Sequence, residues 1–124
     1  IELRPHRSPA ELREMILAQM KNGYVVVYAG DETQAFAVGG FRTIDFLFSG
    51  KTLYVDDLVT HSQHRKKGYA GMLMKWMIQY AKDHNYDHFS LDSGHQRKEA
   101  HRLYLNHGLD ITAHHFGKDV KDLK

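Results

Sequence analysis

Arg65, Lys66 and Lys67 stand directly before Gly68, and Tyr69, Leu73, Trp76, Met77, Tyr80 and Ala81 follow at a spacing that puts them on one face of a helix. Upstream, residues 53–60 are β-branched, aromatic and apolar enough for a strand. A strand that feeds a glycine-bearing turn and then a helix leaves several N–H groups at the helix start without intrahelical partners. The positive end of the helix dipole lies behind them. The three basic side chains add charge at the same place, so the segment predicts a phosphate or pyrophosphate cradle. It is not a nucleotide P-loop, which needs Gly-Lys followed by Ser or Thr, because Tyr69 follows Gly68. Nor does Gly68-Tyr69-Ala70-Gly71 supply the three spaced glycines of a dinucleotide fingerprint. Two consecutive carboxylates, Asp56 and Asp57, sit on the same strand. Strand side chains alternate, so the two are expected on opposite faces, with one of them facing a substrate.

The elements that must position these groups follow in order. Ser8-Pro9-Ala10-Glu11 is a helix start with a capping serine, and Leu12, Met15, Ile16 and Met20 share one face before Asn22-Gly23 ends the helix. Residues 24–28 read as a buried strand and residues 34–44 as the next, with Gly39-Gly40 predicting a bulge or a close backbone approach. Phe46-Leu47-Phe48 continues or flanks it, and Ser49-Gly50-Lys51 turns into the strand that carries the carboxylates. A helix over residues 68–84 has Trp76, Met77 and Tyr80 as a core stripe. Residues 87–92 form a strand, 96–107 a helix closed by Gly108, and 109–116 a last strand before a polar, mobile end. This order implies a mixed sheet covered by helices.

The 124 residues suffice for one domain, 1–124, with its own core. Lys and Arg number 17 and Asp and Glu 15, a net charge of +2 that gives no general case for nucleic acid or an anionic membrane as partner. Nucleic-acid binding through Arg65, Lys66 and Lys67 is disfavoured on the same ground. With no cysteine there is no disulfide framework or thiolate, and the ten histidines make no metal motif such as His-Glu-x-x-His. No apolar run reaches the length of a membrane span and no signal peptide is visible, so a cytoplasmic location is the expectation.

Arg65-x-x-Gly68-x-Ala70 resembles the signature of the GCN5-related N-acetyltransferases (GNAT), and Ala100, Tyr104 and Gly108 are similar to that family's later Ala-x-x-x-Tyr-x-x-x-Gly pattern. The resemblance runs over about residues 24–116 and implies an α/β fold of the α+β type: a mixed, mostly antiparallel twisted sheet flanked by helices. The family's usual first strand and most of its first helix would be missing, with residues 1–5 near the end of that helix. It implies acetyl-CoA as co-substrate and transfer of its acetyl group to a primary amine by direct attack in a ternary complex. Backbone groups of Leu58, Val59 and Thr60 would pair with the pantetheine arm between two splayed strands. The N–H groups of Lys66, Lys67, Gly68, Tyr69, Ala70 and Gly71, with Arg65, would hold the phosphates. Tyr104 would protonate the leaving thiolate, and Asp56 or Asp57 would act as base.

Two departures stand out: Arg97 replaces an asparagine three residues before Ala100 and is expected to contact a phosphate or the acceptor, and Leu109 replaces a phenylalanine. His114 and His115 are expected as one packed and one solvated side chain. The acceptor, a small molecule or a protein amine, is left open, and homodimers are common in the family. A non-catalytic acyl-CoA-binding or regulatory domain of the same fold is the alternative.

Overall fold

Ser8 opens the first helix as a capping residue should. In the computed structural model, which describes residues 7–124, its Oγ accepts the Glu11 N–H at 3.1 Å and Pro9 fills the first helical position. Residues 1–5, which the resemblance places near the end of an earlier helix, lie outside the described residues. Helix α1 (Pro9–Met20) is followed by β1 (Val25–Gly30), β2 (Ala35–Phe46), β3 (Gly50–Thr60), α2 (Tyr69–Asp83), β4 (His88–Leu91) and α3 (Lys98–Asn106). The four strands form one sheet in the order β1-β2-β3-β4. The first two pairings are antiparallel and the third is parallel, which is the mixed, mostly antiparallel sheet expected. Parallel neighbours need a crossover, and α2 supplies it between β3 and β4. The chain divides into two compact units between Leu91 and Asp92: the first holds the sheet, α1 and α2, and the second holds α3.

Helix α2 turns Leu73, Met74, Met77 and Ala81 inward, and the buried sheet residues are Ala37, Phe41, Leu53 and Val55. Met77 lies close to β2: a Cβ on Gly39 would stand 3.4 Å from its Sδ. Met77 and Met74 are fully buried. Met77→Ala is therefore expected to lower unfolding stability by about 2–5 kcal/mol through the cavity it leaves, read by thermal or urea unfolding. Trp76 departs from the core stripe. It is 48% exposed and stacks on Tyr80 at 5.3 Å, while Tyr80 in turn leans on Phe41 at 5.4 Å. One residue beside Met77 in a 3.6-residue period, the indole falls at the border of the buried face.

The strand expected over residues 109–116 is not formed: none of these residues joins a ladder. Ile111 and Phe116 are 76% and 92% exposed, so the apolar–polar alternation there has no buried face to fix it. A single 3-10 turn, Val120–Asp122, follows.

Candidate functional site

The β3–β4 ladder ends at Val55 and Leu91, yet β3 runs on to Thr60. On its other side it stays paired with β2 through Leu58–Gly39, Val59–Val38 and Thr60–Ala37. Five residues, Asp56 to Thr60, therefore present a strand edge that β4 does not cover. Leu58, Val59 and Thr60 lie in this stretch. Alternate backbone groups along such an edge are where an extended ligand can add its own amides.

Thr60 leads directly into the basic turn. A 3-10 turn, Ser62–His64, is closed by the His64 N–H to the His61 carbonyl at 2.8 Å, and the His64 ring stacks on Phe36 at 4.1 Å. Arg65 folds back, its Nε donating to the Thr60 carbonyl at 3.4 Å, so it ties the turn to the strand end. Lys66 and Gly68 both take positive φ, 64° and 83°, and residues 65–68 are exposed. Gly68 caps α2 with no side-chain hydrogen bond to the first turn, and its carbonyl accepts from the Met72 N–H at 3.0 Å. The first-turn N–H groups of Tyr69, Ala70 and Gly71 have no carbonyl four residues back within the helix. Left-handed residues before a helix start form an anion-binding concavity. A Cβ on Gly68 would meet no protein atom within 4 Å, so it is the φ that favours a glycine here.

Asp56 and Asp57 do not point to opposite faces as expected. Gly40 pairs with Asp57 while Phe41 pairs with Val55, so two residues of β3 stand against one step of β2. This bulge turns both carboxylates to the face that carries Arg42. Asp56 is ion-paired with Arg42, whose Nε donates to its Oδ2 at 2.7 Å and whose Nη2 also reaches it. The same Nη2 donates to Gln19 Oε1 of α1 at 2.8 Å. Asp57 accepts the Tyr24 hydroxyl at 2.6 Å, and the Arg42 guanidinium lies 5.0 Å from the Tyr24 ring centroid. Burial first, then the hydrogen bond to Asp57 and the charges of both carboxylates, push the Tyr24 phenol well above its ordinary range. Tyr24, Arg42 and Gln19 were not among the residues that the sequence singled out. Only Gly40 hinted at them, because a Cβ there would overlap the Tyr24 phenol.

Tyr104, Ala100 and Arg97 belong to the second unit. Arg97 precedes α3, its N–H donating to the Gly94 carbonyl at 3.0 Å, and His101 Nε2 bonds that same carbonyl at 2.8 Å. Tyr104 is half-buried. Burial raises its phenol pKa above the ordinary value, and the Arg97 charge opposes this to a lesser extent. His107 Nδ1 bonds the Leu103 carbonyl at 2.8 Å, one turn back along α3. His115 lies 3.5 Å from Asp92 as an exposed pair. Among the described residues no helix is long and apolar enough to cross a membrane.

In the four-stranded mixed sheet the third strand outruns the fourth and leads through a basic, glycine-bearing turn into α2. Residues 2–109 match the model of the acetyltransferase (GNAT) family, and the chain belongs to that family. It is 32% identical over 110 residues to a Bacillus subtilis (strain 168) protein named uncharacterized N-acetyltransferase YhdJ, covering 88% of this chain and 78% of that protein. It is 27% identical over 111 residues to N-acetyltransferase 8B of Rattus norvegicus, covering 90% of this chain and half of that protein's length. Among solved structures, one described as a probable acetyltransferase superposes with a TM-score of 0.81 at 12% identity, over 94% of this chain and 81% of the other.

Proposed function

We propose that the chain transfers the acetyl group of acetyl-CoA to a primary amine by direct attack within a ternary complex. The observation that carries this is the continuity of the β3 edge beyond the β4 ladder, Asp56 to Thr60, with the cradle at Gly68. The cradle's donors fit a pyrophosphate: backbone N–H groups at the start of α2, a glycine whose missing Cβ leaves room, and the ammonium groups of Lys66 and Lys67. With the phosphates there, Thr60, Val59 and Leu58 pair with the arm and bring its acyl end toward Asp57, three residues (about 10 Å) back along the strand.

A carboxylate on β3 takes a proton from the substrate ammonium, freeing the nitrogen lone pair to attack the thioester carbonyl. As the tetrahedral adduct collapses, the C–S bond breaks and the nitrogen gives up a second proton to solvent. Tyr104 supplies one proton to the thiolate and is reprotonated from solvent. The products are an amide, free CoA and one net proton. In this reading Arg97 and Ala100, at and just inside the start of α3, contact the cofactor, as the family resemblance implies. The acceptor is a small molecule or a protein amine. The chain works in the cytoplasm, with neither nucleic acid nor membrane as partner, and a homodimer is compatible with the reading.

Calorimetric titration tests the first half. Acetyl-CoA and CoA are expected to bind with similar affinity and ATP not at all, because the arm and the pyrophosphate are recognised together. Equal binding of ATP would reduce the cradle to a general anion site, and no binding of CoA would overturn the proposal.

A further inference from the structure

Arg97, Ala100, His101 and Tyr104 follow one another at i, i+3, i+4 and i+7, so they share one stripe of α3 and the residue that opens it. His101 is the member of this stripe that the sequence did not single out. Its ring leans toward the start of the helix, as helical side chains do, and Nε2 bonds the Gly94 carbonyl at 2.8 Å. A carbonyl only accepts, so the proton of this bond is on Nε2. The same carbonyl accepts the Arg97 N–H at 3.0 Å, and the Arg97 carbonyl accepts the His101 N–H at 3.1 Å. Residues 94–97 therefore form a turn that His101 fastens twice, once through its backbone and once through its ring. Arg97, at the N-cap position, makes no side-chain hydrogen bond to the first turn, so the imidazole is what secures the entry to α3.

What the turn carries is the Arg97 side chain, which is exposed and makes no hydrogen bond or ion pair among the described residues. Burial raises the Tyr104 phenol pKa and the Arg97 charge opposes it, so the guanidinium acts along the same stripe. We infer that His101 is a positioning residue for the cofactor: it holds the 94–97 turn so that the Arg97 guanidinium meets an anionic group of acetyl-CoA. This rests on the acetyl-transfer reading above, in which Arg97 contacts the cofactor. The physical gain is preorganisation. A long side chain loses rotamer freedom when it binds, and a backbone that is already fixed spares the further cost of ordering the turn.

The test is calorimetric titration of acetyl-CoA into single and double variants at the two positions, with melting temperatures measured beside it. Arg97→Ala is expected to raise Kd about tenfold, the loss of one hydrogen bond to a charged group. His101→Ala should raise it about fivefold, because the contact survives but the turn that presents it is loosened. His101→Gln should bring Kd back to within about twofold, since the amide Nε2 of glutamine can donate from the place of the imidazole Nε2. Alanine and glutamine both favour helix, so neither variant weakens α3 by propensity. Added to Arg97→Ala, His101→Ala should change Kd no further, because the group it positions is gone. A merely structural histidine would raise Kd by the same factor with and without Arg97, or lower only the melting temperature; either result overturns the inference. A folded His101→Gln that binds as weakly as His101→Ala overturns it too. If the unmodified chain does not bind acetyl-CoA, the transfer reading fails and this assignment falls with it. If it binds and Arg97→Ala leaves Kd unchanged, the positioning role falls alone.

Discussion

Gly68→Glu is expected to raise the Kd for acetyl-CoA by on the order of a hundredfold or more, while the chain stays folded. Two effects act together. The first is electrostatic: a carboxylate at the mouth of the cradle would face the pyrophosphate, and like charges about 4 Å apart repel by about 1 kcal/mol in water and about 4 kcal/mol near a protein surface. The second is conformational. Gly68 sits at φ 83°, and an L side chain in that region costs roughly 1–2 kcal/mol. That strain is small beside a domain stability of about 5–15 kcal/mol, and a Cβ at Gly68 would meet no protein atom within 4 Å. Gly68→Asn separates the two effects, because asparagine tolerates positive φ and carries no charge. Calorimetry should place Gly68→Asn between the unmodified chain and Gly68→Glu, with all three melting cooperatively. Unchanged affinity in Gly68→Glu would remove the cradle from the binding site.

What could be read from the sequence follows from how local each feature is. The cradle needs only a strand end, a basic turn, a glycine and a helix start, all within residues 53–71, and the structure forms each of them. The Ser8 cap, the close approach at Gly39 and Gly40, and the mixed sheet were equally legible, because capping and periodicity are short-range signals. The expected strand over 109–116 failed because a strand is defined by its partner. Its alternation says which residues could share a face, not whether any neighbour is there. The orientation of Asp56 and Asp57 failed for a related reason. Gly39-Gly40 on β2 predicted a bulge or a close backbone approach, but the extra residue falls on β3, where the inserted step reverses the parity of every residue beyond it. Tyr24 and Arg42 escaped notice because their partners lie 33 and 14 residues away in the chain.

Tyr104→Phe is expected to lower kcat by about a hundredfold and leave the acetyl-CoA Kd within about twofold, measured by steady-state transfer and calorimetry. The size follows from the leaving group. General acids contribute about 10²–10⁴, and a thiolate with a conjugate-acid pKa of about 8.5 needs less help than an alkoxide, which puts the loss at the low end. Binding should be nearly untouched, because the hydroxyl donates its proton only as the C–S bond breaks, an interaction made in the transition state and not in the ground state. The pH dependence supplies a second check. Burial raises the Tyr104 phenol pKa and Arg97 only partly offsets it, so the folded protein holds the acid form above the pH at which a free tyrosine would lose its proton. The ratio of kcat between the unmodified chain and Tyr104→Phe should therefore stay constant from about pH 6 to about pH 9, below the ordinary phenol range. A ratio that falls steeply across that window would overturn the assignment of Tyr104 as the acid. Equal turnover at every pH would mean that the thiolate leaves unassisted.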